Sequence, residues 1–218
     1  MRTLHISHGL NLLPQKMLDL ANDLERKPIL YTLNNHQKKS LNQFEQNQWQ
    51  KWKSEALSWV ENFDSSTDLL AYSISAPLIL SALKETNTTI NKLILVSPAF
   101  YPRFQKISTG LLDILPKNFL IPSFNKKSDR CNSWVSAELY REIFEQLLPP
   151  QDKMAKSCLL LIHRYDEILD SSKTLAWGKK HGCEVIELNS PLTPPFHATY
   201  KSKRLPIKTI SDYLKSTI

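Results

Sequence analysis

The sequence predicts an α/β fold: a mostly parallel central sheet of about six strands, helices on both faces, and a helical block inserted over residues 99–150. Three observations carry this. Short apolar runs alternate with amphipathic segments through residues 1–98 and again through 151–218. The runs are continuously apolar rather than alternating, as strands covered on both faces are. Between them the rhythm breaks at Ser97-Pro98, and Pro102, Pro116, Pro122, Pro149 and Pro150 punctuate the stretch up to residue 150. The reading is therefore a core of residues 1–98 and 151–218 with a cap at 99–150.

The elements run in this order. Leu4 to Ser7 reads as a short strand. Leu13, Met17, Leu20 and Leu24 then recur at helical steps across Pro14 to Glu25, and Pro28 to Leu33 is a second strand. Asn34 to Gln48 is polar and rich in Gln and Asn, which reads as a loop or a frayed helix start. Trp49, Trp52, Ala56, Trp59 and Phe63 mark one face of a helix, and core packing accounts for its tryptophans. Asp68 to Ser73 is a third strand, Ser75 to Glu85 a helix, and Asn91 to Val96 a fourth strand. Within the insert, Val135, Leu139, Ile143 and Leu147 lie four apart and predict a helix over Trp134 to Leu148. Ser157 to His163 is a fifth strand, Ser171 to His181 a helix, Cys183 to Leu188 a sixth strand, and Leu205 to Ser216 a terminal helix.

Composition narrows the function classes. The chain has 218 residues, 41% hydrophobic and 22% charged, as one globular domain with a full core would have. No apolar run approaches bilayer length, and Met1 to His8 is too short and polar for a signal peptide, so the expectation is a cytoplasmic protein. Cys131, Cys158 and Cys183 are widely spaced, with no Cys-x-x-Cys, so no metal site, redox pair or cofactor is expected. Cys158 and Cys183 read as small core residues. The net charge of +7 is scattered rather than gathered into a stripe with interleaved aromatics. That argues against nucleic acid and leaves only a weak attraction to anionic membrane surfaces. Oligomeric state is not encoded in any pattern here.

Four short motifs fall at strand ends, where open α/β sheets place their sites. They are His8-Gly9-Leu10, Ala71-Tyr72-Ser73-Ile74-Ser75, Tyr165-Asp166-Glu167-Ile168 and Phe196-His197-Ala198. Ser73 stands at a strand-to-helix corner, where a hydroxyl becomes a nucleophile only if a neighbour removes its proton. A serine there could equally cap the following helix. Asp166 shares its loop with Glu167 and Asp170, which stay open as rival acids. His197 is the only histidine after the last strand. His163 reads as structural, and His5, His36 and His181 carry no signal.

On these motifs the chain resembles the α/β-hydrolase superfamily, in particular its small capped esterases and lipases. The family order is serine, acid, histidine, with a G-x-S-x-G elbow around the nucleophile. Ser73, Asp166 and His197 match that order. Both elbow glycines are replaced, by Ala71 and Ser75, which are small but add steric cost. The resemblance implies a Ser73-His197-Asp166 triad, with the backbone N–H groups of Leu10 and Ile74 as oxyanion hole and His8 ordering that loop. It implies cleavage of small-molecule carboxylic esters through an acyl-enzyme intermediate. Thioester hydrolysis or acyl transfer would use the same residues, and a non-catalytic binding protein on a degenerate scaffold is the alternative of another class. Phe100, Leu111, Leu112, Leu115, Phe119, Leu120, Ile121 and Phe124 offer apolar surface either for packing on the core or for an acyl pocket.

Overall fold

The computed structural model describes residues 3–36, 44, 47–103, 105–123, 125–150, 154–189 and 194–216. A parallel six-stranded sheet forms its centre. The strands are β1 (Thr3–Ser7), β2 (Lys27–Tyr31), β3 (Asp68–Tyr72), β4 (Ile90–Val96), β7 (Ala155–His163) and β8 (Glu184–Leu188), in spatial order β2-β1-β3-β4-β7-β8. The chain starts in the middle, winds outward to β2, returns past β1 to β3, and then winds the other way. β1 and β3 are the strands at which this direction reverses, and a crevice opens at their carboxyl ends.

Side-chain alternation along each strand feeds two cores. Leu69, Ala71, Leu93, Leu95, Leu160 and Ile162 face one layer. Leu70, Tyr72, Ile94, Val96, Leu159 and Leu161 face the other. The first layer is covered by α2 (Gln48–Val60), α3 (Ser75–Glu85) and α6 (Ser171–Lys180), and the second by α1 (Lys16–Asp23) and α7 (Ile207–Lys215). Trp49 and Trp52 of α2 are buried as the helical spacing requires, while Trp59 is half-buried against Tyr31 at 4.9 Å between ring centroids. Lys92 on β4 is buried and donates to the Tyr213 and Ser216 carbonyls at the end of α7, so its charge satisfies a helix C-terminus.

The segment between β4 and β7 is less helical than the sequence pattern suggests. It contains α4 (Gln105–Ile114), β5 (Leu120–Pro122), β6 (Trp134–Ser136) and α5 (Ala137–Gln146). β5 and β6 pair antiparallel, Leu120 with Ser136 and Pro122 with Trp134. Trp134 to Ser136, expected to be helical, is therefore a strand. Ser136 adopts extended backbone and its hydroxyl accepts the Leu139 N–H at 3.3 Å, which starts α5 one residue later. Val135, Leu139, Ile143 and Leu147 of this segment join the first core layer. Among the described residues no helix is long and apolar enough to cross a membrane, and no three metal-ligating side chains cluster.

Candidate active site

The crevice brings Ser73, His197 and Asp166 together. Ser73 follows β3 directly and has a φ of +54°, a left-handed conformation that costs a non-glycine residue about 1 kcal/mol or more. Its N–H donates to Val96 O (3.1 Å), and its carbonyl accepts the N–H groups of Ala76 (3.2 Å) and Ala99 (3.1 Å). This sharp corner turns the hydroxyl out of the sheet. Small neighbours permit it. Ala71 is fully buried between β1 and β4, opposite Ser7 and Leu95. Ser75, also fully buried, contacts the Ser7 hydroxyl at 2.8 Å and donates to Tyr72 O at 2.9 Å. Where a glycine would leave space, this serine ties the start of α3 to the ends of β1 and β3.

Ser73 Oγ lies 3.1 Å from His197 Nε2, and His197 Nδ1 lies 2.8 Å from Asp166 Oδ2. The second carboxylate oxygen, Oδ1, accepts the N–H groups of Ile168 (2.9 Å) and Leu169 (2.8 Å). Burial pushes the Asp166 pKa up, but the His197 charge and hydrogen bond and these two N–H groups outweigh it, so the carboxyl titrates below its ordinary range. Burial pulls His197 down, but the Asp166 charge and hydrogen bond, helped by Glu167, leave it above the usual imidazole value. The rival acids face elsewhere. Glu167 Oε2 accepts the backbone N–H groups of Phe196 (2.8 Å) and His197 (3.2 Å) and so shapes the histidine loop. Asp170 caps α6 through the Lys173 N–H at 3.1 Å.

Leu10 and Ile74 both line the cavity beside Ser73, and neither backbone N–H donates to a described residue. The loop carrying Leu10 is fastened from both sides. His8 donates from Nδ1 to Gly9 O (2.9 Å) and accepts the Leu33 N–H at Nε2 (3.0 Å). His36 accepts the Asn11 N–H at Nε2 (2.8 Å) and donates from Nδ1 to Asn34 O (3.1 Å). Each ring thus carries its proton on Nδ1. Burial lowers both pKa values, that of His8 to about 4. From the other side Asn125 donates to Leu10 O (2.9 Å), and Asn11 exchanges hydrogen bonds with Asn132. His36 is the supporting residue that sequence reasoning passed over. Its partner Asn11 is 25 residues away, so no local signal could have found it.

The cavity measures about 350 Å3. None of the seven described residues among Phe100, Leu111, Leu112, Leu115, Phe119, Leu120 and Ile121 lines it, and Phe124 lies outside the described residues. Phe100 instead packs on Trp177 at 4.6 Å, and Leu112 is buried. Leu111, Phe119 and Leu120 are exposed. The apolar walls come from α5 (Tyr140, Ile143, Phe144), from Leu147 just beyond it, and from the loop of Ile168 and Leu169. Cys158 and Cys183, expected in the core, are half-buried and pack against the first core layer.

No family model and no curated protein matches this chain in sequence. Solved structures do match it in shape. One is a structure reported for the metagenome-derived lipolytic enzymes LipS and LipT, at 15% identity and a TM-score of 0.69 over 98% of this chain and 93% of the other. Another is the mouse α/β hydrolase domain-containing protein 10, at 17% identity and a TM-score of 0.62 over 97% and 88%. The fold is that of the α/β hydrolases. A thioesterase domain from the curacin biosynthetic pathway shares this hydrolase fold too, at 11% identity and a TM-score of 0.59 over 99% of this chain and 91% of that domain. In this hydrolase fold, Ser73, Asp166 and His197 all stand at the carboxyl edge of the sheet, on the loops after β3, β7 and β8.

Proposed function

We propose that this protein is a serine hydrolase that cleaves carboxylic esters through an acyl-enzyme intermediate. The observation that carries the reading is the unbroken chain of contacts from Ser73 Oγ through the His197 ring to Asp166, at 3.1 and 2.8 Å. In this reading Ser73 Oγ attacks the ester carbonyl carbon while its proton passes to His197 Nε2. The imidazolium so formed is stabilised by the Asp166 carboxylate, which also fixes the Nδ1–H tautomer. The carbonyl oxygen, now negative, is held by the N–H groups of Leu10 and Ile74, a contribution of about 3 kcal/mol per donor in comparable sites. His197 then returns the proton to the leaving alkoxide, and water activated by the same imidazole releases the acid.

The segment 99–150 serves as the cap. α5 provides the apolar wall for the acyl or alcohol chain, and Asn125 and Asn132 hold the oxyanion loop in place. The likeness to lipolytic enzymes supports an oxygen ester. The likeness to a thioesterase domain supports a thioester as second substrate class, through the same three residues.

A fluorophosphonate probe with mass-spectrometric mapping tests the reading. The expected result is stoichiometric modification of Ser73, abolished in Ser73→Ala and strongly slowed in His197→Ala. A folded wild-type protein that stays unlabelled would instead identify a binding protein on a hydrolase scaffold.

A further inference from the structure

We propose that Arg103 selects substrates that carry an anionic group, such as a carboxylate, a few atoms from the scissile ester carbonyl. This deepens the hydrolase reading and rests on it. Arg103 follows β4 and lines the same cavity as Ser73 and His197. Its position is fixed rather than floppy. Its backbone N–H donates to Ile168 O at 2.7 Å, and the preceding Pro102 bridges to Leu169. Its Nε donates to Asp166 O (2.6 Å) and Leu169 O (2.8 Å). Those two bonds lay the side chain across the acid loop and use one of the five guanidinium N–H groups.

The remaining four N–H groups bond to no described residue, and no described carboxylate forms an ion pair with Arg103. Its shown neighbours on the cavity wall, Pro102 in the chain and Ile168 and Leu169 through their carbonyls, have apolar side chains. The one carboxylate on that wall is Glu167, whose Oε2 is already taken by the Phe196 and His197 N–H groups. A half-buried guanidinium held still, with its terminal fork unused, is pre-organised for a carboxylate. A strut for the acid loop needs only Nε. The fork beyond it is surplus to that role. The overall charge of +7 also favours approach of an anionic substrate.

The test uses matched ester pairs with the full-length protein. In the first arm, p-nitrophenyl hemiesters of dicarboxylic acids are compared with neutral p-nitrophenyl esters of equal acyl length. In the second, the carboxylate sits on the alcohol side, with acyloxybenzoates against acyloxybenzenes. The readout is the ratio of kcat/KM within each pair, so a general loss from a loosened acid loop cancels. Wild type should favour the anionic member of at least one pair by about tenfold or more. Arg103→Gln should bring that ratio to one or below, and Arg103→Lys should keep it above one. Failure of Arg103→Gln to fold would leave Arg103→Lys against wild type, where the charge stays but the fork is lost and the ratio should fall severalfold. A wild-type ratio at or below one in both arms, or a preference untouched by these variants, overturns the proposal. Should neither member be hydrolysed, the hydrolase reading fails on its own. Calorimetric binding of the same pairs to wild type and Arg103→Gln then decides the anion preference by the same ratios.

Discussion

Acidification should unfasten the loop that carries Leu10. His8 is fully buried and neutral, with Nε2 accepting the Leu33 N–H and Nδ1–H bonded to Gly9 O. Burial lowers its pKa from 6.5 to about 4, against the smaller opposite pull of the Gly9 carbonyl. A folded-state pKa below the unfolded one means that the unfolded chain takes up the proton first. The stabilisation is therefore complete above pH 6.5 and is lost as the pH falls toward 4. Integrated between those two values, acidification to about pH 5 removes about 2 kcal/mol through His8 alone. That is a sizeable part of the ~5–15 kcal/mol that a domain has in total. His36 is shifted in the same direction by burial and by its neighbour His8, at 4.6 Å between rings. His197 acts oppositely, because its raised pKa stabilises the fold at low pH and that share is lost as pH rises. Comparison with His8→Gln cancels the His197 share and the burial part of the His36 share, leaving His8 and its coupling to His36. Urea unfolding from neutrality down to about pH 5 should show wild type losing about 2 kcal/mol more than the variant. Nitrogen NMR of the imidazole gives the same answer if the variant folds poorly. Equal pH slopes for the two proteins, or a His8 ring that titrates above pH 6, would refute the reasoning.

Three substitutions probe the rest of the site. Gly9→Ala would place a Cβ 2.6 Å from Tyr72 Cε1 and 3.1 Å from Ser73 Cβ, and the Tyr72 ring cannot swing away while its hydroxyl holds His197 O at 2.8 Å. Thermal unfolding should show a loss of about 1–3 kcal/mol, with esterase activity falling more steeply than stability. Ser75→Gly, which puts back one of the two elbow glycines, should destabilise rather than help, by about 1 kcal/mol in urea titrations, because it removes the 2.8 Å bond to the buried Ser7 hydroxyl and leaves that group only a long 3.5 Å bond to Leu70 O. Asp166→Asn should lower kcat by about 10⁴ and move the rising limb of the pH–rate profile to lower pH, since the charge that holds His197 up is gone.

The core was legible because its physics is local and repetitive. Ser75–Glu85 begins and ends where its pattern does, between a buried strand and the polar Thr86-Asn87 turn. The order Ser73, Asp166, His197 could be read because the three come after β3, β7 and β8 in turn, Ser73 directly and the other two on the loops that follow. The insert was not, for two reasons. β5 and β6 are three residues long, too short for any periodicity, and exist only through their pairing with each other. α4 carries Ile107, Leu111 and Ile114 at helical steps, but Gly110 and the prolines around it mask the pattern. The cavity wall stayed open between the two uses of apolar surface because an apolar stripe does not say what it faces. On α5 it covers the core with Leu139 and the cavity with Tyr140 and Phe144, while the richer apolar stretch at 111–121 turns partly outward.

Three of the seven non-glycine residues with left-handed φ among the described residues lie at the edge of the sheet that holds the candidate site. Asn11, Ser73 and Ser97 follow three neighbouring strands, and all have left-handed φ, at +54°, +54° and +43°. Each is held by side-chain or backbone bonds: Asn11 to Asn132, Ser73 to Val96 O, and Ser97 to Thr199 at 2.8 Å beside His197. In a protein with only four glycines, such positions are filled by residues that tolerate the strain and supply a hydrogen bond. Ser73 is the case where the two effects separate, because its hydroxyl faces His197 Nε2 and does not hold the turn. Glycine relieves a left-handed φ, whereas alanine keeps its cost. Ser73→Gly should therefore be more stable than Ser73→Ala by about 1 kcal/mol, the reverse of their order in an ordinary strand or helix, although both are inactive. Urea midpoints of the two variants measure the difference directly. An alanine variant at least as stable as the glycine one would mean that residue 73 relaxes out of the elbow, and with it the geometry that aims Oγ at His197.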